Sequence, residues 1–260
     1  METMRTIILM IAVIFLVNTS SGQKFQLALA APLAQHHEEL SVKGRNGILI
    51  RQKLSFGKYS TVRVKRGLIR SWEGVSGLPG LIWTTEMEGR QSIQFRLTDS
   101  TDTSEVLMVT KISRKDLKIG SDPNSLPNQV FPILTIGNDE YQKNNLSTAI
   151  YLKKDDAPWE LYLDNTAAQL NREDYTGYIY RGDVYYRIVP VWDIIHKGKI
   201  RQIPFGAAGF EIQNDKGEAL AAVSLMDSKG IVYLGDLPRQ ERFLLANACA
   251  ALLLQSNIDG

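Results

Sequence analysis

Residues 237–257 constrain the fold more than any other stretch of the chain. From Phe243 to Leu254 the only polar side chain is Asn247. At 3.6 residues per turn such a run is apolar on every side, and a helix without a polar face belongs in a core. Asp236 stands where an N-cap would be, and Pro238 falls in the first turn, where a missing N–H does least harm. The apolar part is about 18 Å long at 1.5 Å per residue, too short for a hydrocarbon core of about 30 Å. The surroundings of this helix must therefore be protein, and Asn247 needs a hydrogen-bond partner there.

What precedes the helix reads as β-structure. Residues 47–54, 59–64, 92–97, 105–112, 148–152, 159–163, 177–180, 184–189, 209–213, 219–225 and 231–234 have strand length and are rich in β-branched and aromatic residues. Alternation is clean over 61–65 and 93–97, as in strands with one wet face. Arg181-Gly182-Asp183, Asn214-Asp215-Lys216-Gly217 and Asp227-Ser228-Lys229-Gly230 carry hairpin-turn chemistry. Short strands without interleaved helices predict a mainly β fold, an antiparallel β-barrel or sandwich with a buried apolar C-terminal α-helix. Residues 44–257 read as one β-rich domain, with 121–132 (Pro123, Pro127, Pro132) as the place for a subdivision.

The first 22 residues read as a signal peptide. An apolar run, Ile7 to Val17, is followed by small and polar residues through Gly22. This predicts export to the periplasm or outside the cell, with no transmembrane span in the mature chain. Residues 23–43 lack a strand pattern and read as a flexible tether. Cys249 is the single cysteine, so no intramolecular disulfide forms, and its apolar setting predicts a buried, inert thiol. With 30 basic and 28 acidic residues the net charge is +2, which gives no reason to propose nucleic acid as a partner.

Strand Glu218-Ala219-Leu220-Ala221-Ala222-Val223, strand Lys229-Gly230-Ile231-Val232-Tyr233-Leu234, then Asp236 and the run Phe243 to Leu254 follow one another at the end of the chain. That order resembles the tubby-like superfamily, which includes the LURP-one-related proteins and the phospholipid scramblases. The resemblance implies a closed antiparallel barrel wrapped around a hydrophobic C-terminal helix. It covers about the last fifth of the chain, and no functional residue of those families carries over onto this sequence.

Catalytic constellations are scarce. His36 and His37 lie in the tether stretch, and a nucleophile–histidine arrangement would depend on His196 alone. No CxxC, HExxH, Walker loop or GxGxxG occurs, so no metal or cofactor is expected. Asp155-Asp156 and Glu173-Asp174 are adjacent pairs, which on strands point to opposite faces. The second half is rich in tyrosine and tryptophan, residues suited to surfaces that are part apolar and part wet. Trp159, Tyr178, Tyr180 and Trp192 are therefore the candidate ligand-facing aromatics. The expected function is non-catalytic binding of lipid, another apolar ligand or an envelope component. A carboxylate-dependent, glycosidase-like hydrolase and an envelope interaction module are the alternatives.

Overall fold

The computed structural model describes residues 25–45, 52–68, 70–78, 82–119, 134–137, 143–153, 155, 157–170, 177–204, 206–226 and 230–255. The expected signal peptide, the 121–132 subdivision and most of the expected strand 47–54 lie outside these residues. The first half of the chain contributes β1 (Gln26–Leu27), β2 (Glu38–Ser41), β3 (Ser55–Phe56), β4 (Tyr59–Arg66), β5 (Arg70–Leu78), β6 (Ile82–Thr98), β7 (Thr103–Ile119) and β8 (Leu134–Gly137). The second half contributes β9 (Lys143–Leu152), β10 (Trp159–Asp164), α1 (Asn165–Leu170), β11 (Gly177–Arg181), β12 (Val184–Val191), β13 (Asp193–His196), β14 (Lys199–Gln202), β15 (Gly209–Gln213), β16 (Ala219–Ser224), β17 (Ile231–Leu234) and α2 (Arg239–Leu254).

Twelve strands follow one another in one antiparallel sheet, in the order β2-β17-β16-β15-β12-β11-β10-β9-β7-β6-β4-β3. Just past β2 the chain meets β3, the other end strand, at an antiparallel bridge. There Lys43 donates to the Ser55 carbonyl at 2.8 Å, and Ser55 donates back at 3.0 Å. The sheet is thus a nearly closed barrel rather than a two-sheet sandwich. Most connections are hairpins whose residues the sequence announces. Gly182, at φ 57°, sits in the two-residue loop between β11 and β12, where only the left-handed region lets the strands reverse so tightly. The β15–β16 turn is held by Asn214 Oδ1, which accepts from the Lys216 and Glu218 N–H groups.

Helix α2 fills this barrel. Every residue from Phe243 to Leu254 is buried, and together they form the main core with the inward residues of the strands. The alternation of β10 is typical: Trp159, Leu161 and Leu163 point in, while Glu160 and Tyr162 point out. Asn247, fully buried, is satisfied there. Its amide donates to the Phe243 carbonyl at 2.8 Å, and Oδ1 accepts from the Ser104 hydroxyl at 2.5 Å. At the far end the Arg66 guanidinium donates to the Leu254 carbonyl at 3.1 Å, a cation placed on the negative end of the helix. The helix is shorter than the expected 237–257 at its start. It begins at Arg239 with Pro238 as N-cap and no side-chain cap, and Asp236 stays outside on the surface.

The tether expected over 23–43 is corrected for its described part. Glu38–Ser41 is a barrel strand paired with β17, and Gln26–Leu27 pairs with β13 in a small sheet with β14. Between them Leu27 and Leu33 pack with Ala222 and Tyr233 on the outside of the barrel wall. The Ala30 N–H donates to Glu211 Oε1 at 2.6 Å. The physical reason lies in the partner strands. β15, β16 and β17 are buried on both faces, so their outer side needs a cover, and residues 25–37 supply it.

Strands β6 and β7 are 17 residues each, roughly 57 Å at about 3.4 Å per residue. Their first paired half belongs to the barrel, flanked by β4 and β9. Beyond it β5 and β8 take over as neighbours, so the hairpin leaves the wall as a four-stranded extension. Among the described residues no helix is long and apolar enough to cross a membrane.

Candidate functional site at the barrel mouth

Because α2 occupies the interior, a ligand must bind at a mouth or on the outer wall. The mouth at the start of α2 holds a cavity of about 430 Å³, within the usual size range of small-molecule sites. Its position follows from the strand ends. β9 delivers Leu152 and Lys153, β10 starts at Trp159, β11 ends at Arg181, and the first turns of α2 bring Glu241, Phe243 and Leu244.

One wall is apolar and aromatic. Trp159 and Tyr186, inward residues of β10 and β12, have ring centroids 5.9 Å apart at 44°. The Arg181 guanidinium lies over the Trp159 ring, 4.5 Å from its centroid, and is also ion-paired to Asp155. The Tyr186 hydroxyl donates to Glu241 Oε1 at 2.9 Å. Burial pushes the Tyr186 phenol far above its ordinary pKa, and the bond to the Glu241 carboxylate adds to the shift. This tyrosine is therefore a fixed neutral donor and not a base.

A second group of charged side chains centres on Arg239. Arg239 Nη2 donates to Asp102 Oδ2 at 2.6 Å, and its Nε lies 3.8 Å from Asp99 Oδ2. Asp99 is buried, which pushes its pKa up. That effect is outweighed by N–H groups of Asp102 and Thr101 at 2.8 and 3.0 Å and by the Arg239 and Lys58 charges, so its carboxyl titrates below the usual range. Each cavity carboxylate is thus engaged: Asp102 by Arg239, Asp155 by Arg181, Glu241 by Tyr186. Such pairs supply fixed charge and orientation rather than a free acid–base couple. Lys153 has no acidic partner among the described residues.

The structure separates the four candidate aromatics. Trp159 lines the cavity. Tyr178 and Tyr180, two apart on β11, face out from the barrel. Tyr178 meets Tyr185 edge-on at 6.1 Å, and the Tyr180 hydroxyl donates to Glu160. Trp192 is buried between β12 and β13. Sequence reading missed Arg181, Tyr186 and Glu241. The register of strand ends brings Arg181 and Tyr186 to one mouth, and only the buried helix adds Glu241. His196 stacks on Phe25 at 4.5 Å outside the barrel, away from the cavity lining. Among the described residues no group of three or more His, Cys, Asp or Glu side chains could hold a metal ion.

The chain matches no protein-family model, no curated protein and no solved structure.

Proposed function

We propose that the protein is a non-catalytic binding protein, exported as its N-terminal apolar run suggests, whose barrel mouth takes an amphipathic ligand with an apolar body and an anionic end, such as a lipid-derived acid. The observation that carries this reading is the split lining of the cavity. Leu152, Trp159, Val184, Phe243 and Leu244 offer an apolar wall, while Lys153, the one lining cation without an acidic partner among the described residues, offers positive charge at the rim. A nearly closed twelve-strand sheet around a terminal apolar helix also supports the proposed kinship with the tubby-like superfamily, as an architecture and not as a source of site residues.

The test is titration of the delipidated protein with a fluorescent long-chain fatty acid and with its methyl ester. Saturable binding of the acid, weakened at least about tenfold by Trp159→Ala (about 1.4 kcal/mol) and less by Lys153→Gln, is expected. Absence of saturable binding, or equal affinity of the wild type and Trp159→Ala, refutes the assignment. The hydrolase alternative needs a proton-transferring pair, and the engaged carboxylates at the mouth disfavour it.

A further inference from the structure

We propose a second binding site, on the outer wall where the β6–β7 hairpin leaves the barrel, for a linear acidic polysaccharide. Antiparallel register places Arg70 of β5 opposite Arg90 of β6, and Arg90 opposite Lys111 of β7. Directly opposed residues share one face of the sheet, and like charges so placed destabilise it. Lys143 of β9 adds a fourth cation one row further on, opposite Ser113. All four side chains are exposed, and among the described residues none has an acidic partner within ion-pair distance. Glu88 is the single acidic residue lining the groove of about 550 Å³ that they border. In a chain of net charge +2, this is a local concentration of charge, held at a cost to the fold.

The same groove carries Trp72, 59 % exposed, two residues from Arg70 on the same face. Its indole covers Gly74, where an added Cβ would come within 2.4 Å of the ring. Gly74 thus lets the ring lie down along β5 and present its other face to solvent. A recumbent ring beside guanidinium groups suits a sugar face stacked on the indole, with carboxylates taken by Arg70 and Arg90. It suits membrane insertion less, because the ring does not project. The register also continues past the groove. The row of Arg70, Arg90 and Lys111 runs on through Asn145 to Asp164, and the next row holds Tyr162 opposite Tyr178. Those rings extend the platform, but Glu160 and Asp164 accompany them. A polymer with a phosphate at every unit would meet that negative charge, whereas a sparsely charged glycan passes it. The site lies roughly 25 Å from the mouth cavity along β6, at about 3.3 Å per residue, so the two readings stand or fall separately.

The experiment is calorimetric titration of the full chain with octasaccharides of hyaluronate and of unsulfated chondroitin, which carry a carboxylate on every second sugar, beside an oligo-dT strand and vesicles containing phosphatidylglycerol. Saturable, salt-sensitive binding of at least one acidic glycan is expected, weakened at least about tenfold (about 1.4 kcal/mol) by Arg90→Gln/Lys111→Gln and by Trp72→Ala. The mouth variant Trp159→Ala should leave it unchanged. These outward substitutions should preserve the unfolding midpoint, which separates lost binding from lost folding. No binding to any glycan, tighter binding to oligo-dT or to vesicles, or indifference to both groove variants overturns the proposal.

Discussion

Replacing Asn247 tests whether the terminal helix is truly enclosed, because two substitutions there should differ sharply. Asn247 is fully buried and makes two side-chain hydrogen bonds, to the Phe243 carbonyl and from the Ser104 hydroxyl. In Asn247→Leu neither partner is stranded. The Ser104 hydroxyl also reaches the Leu97 carbonyl at 3.3 Å, and Phe243 keeps its helical hydrogen bond. The expected loss is therefore modest, within about 1.5 kcal/mol, as for a near-isosteric core change. In Asn247→Asp the carboxylate retains the Ser104 donor but faces the Phe243 carbonyl at a fully buried position. An uncompensated buried charge of this kind costs about 3–5 kcal/mol. The sign with pH follows. Burial raises the pKa of the introduced Asp above its unfolded value of about 3.9. The variant is then close to wild type below about pH 4 and loses stability as pH rises to the folded pKa, by about 1.4 kcal/mol per unit. Urea unfolding of wild type and both variants between pH 4 and 8 measures this. If Asn247→Asp matches Asn247→Leu at pH 8, the side chain is wet and the enclosed-helix architecture is wrong.

The Cys249 thiol is fully buried, and burial pushes its pKa up to about 12, so a thiol reagent such as DTNB should react only as the protein unfolds; reaction within minutes in native buffer contradicts this. Asp99→Asn should destabilise the mouth at pH 7, and because the native carboxyl titrates below its unfolded value, the gap to wild type should close as pH falls below about 4. A gap unchanged between pH 7 and 3 would show that its hydrogen bonds and charges do not favour the ionised form. Leu27→Asp should strip the outer cover from β15–β17, lowering the thermal midpoint by several degrees and raising dye binding, since burying a leucine contributes about 1.5–3 kcal/mol. An unchanged midpoint would show that residues 25–37 do not support the fold.

The fold was legible where one residue pattern had one physical solution. A run apolar on all sides, Phe243 to Leu254, has nowhere to go but a core, and alternation in β10 marks which wall faces it, whereas in β4 a register shift between Thr61 and Arg63 breaks the expected alternation, burying Thr61 and exposing Val62. Sheet closure was not legible, because Lys43 and Ser55 carry no signal for the bridge they form. The cover over 25–37 was legible only in its partners. Ala219–Ser224 and Ile231–Leu234 are apolar on both faces, which asks for protein on both sides, yet nothing in the covering stretch itself shows a period. The mouth is a meeting of strand ends with a helix start, so Glu241, 55 residues after Tyr186, joins Arg181 and Tyr186 only once the helix is seated in the barrel. The groove was hidden for a related reason: Arg70, Arg90 and Lys111 are ordinary exposed strand residues until pairing lays them side by side.

A barrel filled by its own helix differs from one that encloses a ligand. In an empty barrel of this kind the inward faces of all strands would be open to a ligand and to selection for it. Here those faces are committed to Phe243 through Leu254, and changing one means repacking against α2. Specificity can then reside in two places that packing leaves free, the strand ends at the mouth and the outward residues of each strand. The first is small, formed by few residues and tied to the helix start, which suits a compact ligand. The second is long and one-sided, following the β6–β7 hairpin beyond the wall, which suits a polymer. By occupying the interior, the terminal helix leaves the mouth and the outer wall as the places open to the two proposed ligands.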